Sequence, residues 1–180
     1  MNERVSRIIL LHGASSSGKS TLAKAVQRAL DEPFIHLASD YLGLGLPERR
    51  ERRGPFRWWD NIRPRYFDGF QRSIAAFAAA GNDLIVDHII ESRAWREDLR
   101  RLLQPFDLFL VGVHCDLDEI DRREAQRGDR KPGEGRSHVV DDKIHDNGPY
   151  DLEVDTTGRE PAVVAEQLLE RWRQRSATVL

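Results

Sequence analysis

Residues 7–30 read RIILLHGASSSGKSTLAKAVQRAL. A short apolar run, a loop with glycines at both ends and an amphipathic stretch follow one another, which reads as strand, loop and helix. Within it Gly13–Ser20 match G-x-x-x-x-G-K-[ST] at every position. Gly13 and Gly18 let the backbone curl so that the amides of Ala14, Ser15, Ser16 and Ser17 turn inward around phosphates. Lys19 then brings an ammonium to the β- and γ-phosphates of a nucleoside triphosphate, and the Ser20 hydroxyl ligates Mg²⁺. The helix that begins here, with Thr21 in its first turn, points its positive end at the same anion.

Outward from this stretch, short apolar runs alternate with longer amphipathic ones. Strands are expected at Arg7–Leu11, Phe34–Ala38, Asp83–Asp87, Leu108–His114 and Leu152–Asp155. Helices are expected at Lys19–Leu30, Arg65–Ala80, Ser92–Leu103, Leu117–Arg127 and Pro161–Arg175. The strands show little polar alternation, as when helices cover both faces of a sheet. Strand–helix alternation of this kind gives an α/β fold with a parallel sheet and right-handed crossovers. Leu42–Pro64, rich in Arg, Gly, Pro and aromatics, and the basic Gly128–Gly135 (GDRKPGEG) read as loops, the second as a lid. One domain over residues 1–180 is expected, its substrate side at about 41–66 and its lid at about 127–137.

The chain has 180 residues, 39% hydrophobic and 32% charged, with a net charge of −2, which fits a globular domain. A nucleic-acid-binding domain would usually be strongly basic, so no nucleic-acid partner is expected. The four apolar residues after Arg7 are too few for a secretory signal, and the longest apolar runs fall far short of a membrane span. Cys115 is the single cysteine, so no internal disulfide forms. A cytoplasmic protein with no membrane partner is expected, and homo-oligomerisation stays open.

The phosphate loop does not name a reaction. No Asn-Lys-x-Asp guanine-reading motif is present, so ATP is favoured over GTP. Asp40, in LASDYL, sits just past the second strand, where ligands gather in a parallel sheet. It is placed either to take the proton of an attacking hydroxyl or to cap a helix that starts at Tyr41; spacing alone does not decide. Asp87 ends the run DLIVD, the position of an acid that holds Mg²⁺. Arg123, Arg127, Arg130 and Lys131 form a basic group that would close over a triphosphate and exclude water. Trp58-Trp59 would wall an apolar acceptor or belong to the core.

Taken together, IILLHGASSSGKST, LASDYL, LIVDHII, VGVHCDLDEIDRREAQRGDR and YDLEVDTT stand in an order and spacing that resemble the chloramphenicol phosphotransferases and their relatives. The resemblance covers almost the whole chain. It implies a three-layer P-loop kinase fold and an ATP- and Mg²⁺-dependent O-phosphotransferase acting on a small-molecule hydroxyl, an antibiotic such as chloramphenicol among the candidates. It implies that Asp40 is the base and that the loop around Arg127 and Arg130 is the lid. It also implies that Thr156 and Thr157 lie near the adenine, with Arg123 or Arg127 stacked over the base. His12-Gly13-Ala14 and His88 depart from the family pattern, and Leu42–Pro64 shows little similarity. A metabolite or sugar-nucleotide kinase and a non-catalytic ATP-binding regulator are the alternative readings.

Overall fold

The structure is a computed structural model describing residues 4–42, 58–127 and 132–176, with the side chains of 42, 58–60 and 176 left out. The described elements are, in order, β1 (Arg7–His12), α1 (Lys19–Ala29), β2 (Phe34–Ala38), α2 (Ser39–Leu42), α3 (Trp58–Ala79), β3 (Asp83–His88), α4 (Arg93–Leu103), β4 (Asp107–His114), α5 (Leu117–Arg127), α6 (Glu134–Val140), a 3₁₀ turn (Ile144–Asn147), β5 (Leu152–Asp155) and α7 (Pro161–Ser176). The strands form one parallel sheet in the order β2-β3-β1-β4-β5.

Successive strand residues point to opposite faces, so β1 feeds two cores. Ile9 and Leu11 pack with Leu22 and Val26 of α1 and Val164, Leu168 and Trp172 of α7. Ile8 and Leu10 pack with Phe70, Ile74 and Ala78 of α3 and Leu99 and Leu103 of α4. Each fully buried Leu or Ile contributes about 1.5–3 kcal/mol, so these two layers hold the sheet between them. A smaller third cluster of Ala14, Ile120 and Ile144, with Val139 against it, lies under the phosphate loop.

The α/β fold, the five parallel strands and the helices on both faces stand as the sequence leads one to expect. Two local expectations are corrected. Pro64 does not bound a helix: α3 begins at Trp58 and runs through it. A proline removes one backbone bond, but tertiary ties hold this turn, with Arg63 paired to Glu91 and the Tyr66 hydroxyl donating to the Ser39 carbonyl. The segment around Gly133 is not all loop either, since Glu134–Val140 forms α6. The Glu124 carboxylate accepts from the Gly133 and Gly135 amides at 2.8 and 2.7 Å, satisfying donors that a helix start leaves open.

Candidate active site

The strand order places the site. In register, Ala38 of β2 stands beside Asp87 of β3, which stands beside Leu11 of β1. The loop leaving β1 and the turn leaving β2 therefore flank Asp87 at the carboxyl edge of the sheet. A cleft of about 410 Å³ opens there, lined on one side by Ser15, Ser16, Lys19 and Ser20 and on the other by Asp40, Asp87 and His88.

The loop is shaped by its glycines. Gly18 takes φ +91° and Ser16 φ +61°, left-handed conformations that curl the chain. A Cβ on Gly13 would run into the Val113 carbonyl, so no other residue fits there. The hydroxyls of Ser15, Ser16 and Ser17 are buried and have no hydrogen-bond partner among the described residues. Lys19 Nζ donates to the Ala14 carbonyl at 2.7 Å and lies 3.8 Å from Asp87 Oδ1. The Ser20 hydroxyl donates to the other Asp87 oxygen. Two oxygen donors thus converge beside a buried ammonium.

Asp40 lies inside α2, in its first turn, rather than ahead of the helix as a cap would. His88 is wholly buried; its Nε2 sits 3.4 Å from the Gln71 amide nitrogen, and its ring stacks on Trp95. Burial pushes its pKa down to about 3, so it is neutral. His12 is also neutral, and here geometry alone decides. Its Nδ1 accepts from the Ile90 amide at 3.0 Å while Nε2 faces the Ile144 carbonyl at 3.2 Å. One nitrogen must be bare and the other protonated. Burial above all pushes its pKa to about 3. His12 therefore ties the end of β1 to two other segments.

At the far end of the cleft, Gln126, Arg127, Arg159, Pro161 and Val164 join Arg123 and Thr156. Arg123 is fixed: Nε donates to Glu119 at 2.8 Å, Nη1 to the Thr156 hydroxyl at 3.2 Å and Nη2 to the Thr156 carbonyl at 3.0 Å. The Thr156 hydroxyl in turn donates to the Ser17 carbonyl at 2.7 Å. Thr157 instead turns its hydroxyl to the Asp116 amide at 2.8 Å. Thr21 lines the cleft. Arg130 and Lys131 lie outside the described residues, as do the side chains of Trp58 and Trp59, whose backbone begins α3. Glu124, Gln126 and Arg159 escape sequence reading because single polar residues on helices and turns look solvated until their partners are known.

The chain matches the family described as chloramphenicol phosphotransferase-like protein over residues 6–173. It belongs to that family. Two Mycobacterium tuberculosis relatives, from strains CDC 1551 and H37Rv, are named O-phosphotransferases; each is 31% identical, the match covering 93% of this chain and 82% of theirs. Among solved structures, the fold is shared with the APS kinase of M. tuberculosis, solved with AMPPNP and APS (TM-score 0.66, 20% identity, covering 94% of this chain and 98% of that one). It is shared too with the shikimate kinase of Acinetobacter baumannii (TM-score 0.64, 13% identity, 94% of each chain). The tunicamycin resistance protein of Deinococcus radiodurans has a TM-score of 0.64 at 18% identity, covering 92% of this chain and 95% of its own. The P-loop kinase fold and a kinase-like phosphotransferase class follow for this member of the family.

Proposed function

We propose that this phosphotransferase moves the γ-phosphate of ATP to a hydroxyl of a small molecule bound beside Asp40. The observation that carries the reading is the single cleft in which Lys19, the Ser20–Asp87 pair and Asp40 all face the same space.

The residues fit a Mg²⁺-triphosphate. The loop curls around the buried Lys19, although the Ser15 amide, expected to face phosphate, is instead taken by His138. The three serine hydroxyls have no partner among the described residues, and Ser20 with Asp87 supplies hard oxygen ligands of the kind Mg²⁺ takes alongside phosphate oxygens and water. When bound, the ion neutralises charge on the transferring phosphoryl group. Lys19 holds the β- and γ-phosphates from its anchor on Ala14. The Asp40 carboxylate accepts the proton of the acceptor hydroxyl as that oxygen bonds to the γ-phosphorus and ADP leaves. Arg127, together with Arg130, closes over the nucleotide; because Arg123 is committed to Glu119 and Thr156, Arg127 is the one that stacks on the base. We read residues 1–180 as one kinase domain with its acceptor side at about 41–66 and its lid at about 127–137. The single Cys115 suits a reducing cytoplasm.

The test is a screen of hydroxylated small molecules, chloramphenicol and other antibiotics first and metabolites including sugar nucleotides next, with γ-labelled ATP and mass detection of products. The reading expects at least one product heavier by a phosphoryl group, with ADP formed in equal amount. Tight ATP binding without any phosphorylated product across a broad cell extract would contradict it.

A further inference from the structure

Ser15 is gripped from outside the phosphate loop. Its amide donates to His138 Nδ1 of α6 at 3.3 Å. One turn earlier in α6, Gly135 lies against the Ser15 carbonyl, so closely that any side chain there would collide with it and with Ile120. The helix is held in that position by Glu124, buried on α5, through the Gly133 and Gly135 amides. Val139 adds an apolar contact to the cluster containing Ala14. A single helical turn thus meets both the N–H and the C=O of one residue in the middle of the loop.

We infer that His138 is a positioning residue for ATP binding, holding the phosphate loop through an acceptor nitrogen that works only while the imidazole is neutral. An amide N–H can donate to a bare ring nitrogen but not to a protonated one. Burial, the largest influence, lowers the His138 pKa from its ordinary value; Lys19 lowers it further, while Glu134, Glu91 and Asp142 oppose them. The contact is therefore intact at neutral pH and is lost as acid protonates the ring below the usual histidine range.

The inference rests on the proposed triphosphate site, but its test needs no acceptor. Affinity for Mg·ATP is measured by calorimetry on the full chain for wild type, His138→Leu and His138→Asn. The Asn Oδ1 stands where Nδ1 does and cannot titrate, while Leu has no acceptor. Leu is also the better helix former, so a helix-stability effect would favour it. At pH 7.5 His138→Leu should bind about 5-fold more weakly, the size of one hydrogen bond, and His138→Asn should match wild type. On acidification the ratio of wild-type to His138→Asn affinity should fall. Hydrogen exchange at the Ser15 amide, measured without nucleotide, should be slow in wild type and His138→Asn and faster in His138→Leu, which tests the contact even if ATP binding itself fails. Equal or tighter binding by His138→Leu, equal weakening in His138→Asn, parallel pH profiles, or unchanged Ser15 exchange would each overturn the inference.

Discussion

The phosphate loop and the α6 segment that leans on it acquire their shapes in opposite ways. In the loop the curl comes from left-handed turns at Ser16 and Gly18 inside the motif, while Gly13 also answers to the distant Val113 carbonyl. Helix α6 has seven residues, too short to be stable by itself. Its start is satisfied by Glu124, and its packing is set by Ile120 and Ser15. A locally encoded device should fail locally and a borrowed one should fail at a distance, which gives three ways to strain the contrast.

The largest effect belongs to the loop. Lys19→Ala removes the cation that the proposed reading places on the phosphates and should lower phosphotransfer about 10²–10³-fold, while circular dichroism and the melting temperature stay close to wild type. A global loss of structure would mean that the lysine serves the fold rather than the site. Next comes the borrowed helix. Glu124→Ala strands the Gly133 and Gly135 amides, at about 1–3 kcal/mol for each unsatisfied buried group, so the melting temperature should drop by several degrees, at about 2–4 °C per kcal/mol. Hydrogen exchange should accelerate through α6 while β1 and α1 remain protected; uniform acceleration would erase the contrast.

The smallest effect is the response to acid. His12 and His145 have pKa values near 3 and 4, lowered chiefly by burial, below the 6.5 of an unfolded histidine. Between those values and 6.5 the unfolded chain binds more protons than the folded one, so stability is full above about pH 6.5 and declines as pH falls. His114 packs on His145 with ring centroids 4.1 Å apart, crowding any new positive charge. The midpoint of urea unfolding should therefore fall between pH 7 and pH 5, and His12→Gln should flatten that slope. A midpoint independent of pH would contradict the buried neutral imidazoles.

The same contrast explains what the sequence discloses. Gly13–Ser20, the apolar runs that lead to Ala38 and Asp87, and the five-strand alternation are visible because their physics is local: motif spacing, apolar runs and period. Helix α3 reaches back through Pro64 because Glu91 and Ser39, distant in sequence, hold its first turns. Glu124 and His138 carry no local signal, since their partners lie 9 to 11 and 123 residues away. Arg123 reads in the sequence as one of the cations that close over a triphosphate and stands as a strut in the structure, because Thr156, 33 residues away, meets it only after folding.

The central claim, that the two sides of one cleft bring ATP and a hydroxyl together over Asp40, is tested most directly by Asp40→Asn. The variant keeps the size of the side chain and removes the proton acceptor. ATP affinity should stay within about 2-fold, and transfer to the best acceptor found should fall about 10²–10⁴-fold, the usual share of a general base. Wild-type transfer rates in Asp40→Asn with unchanged ATP affinity would contradict the account.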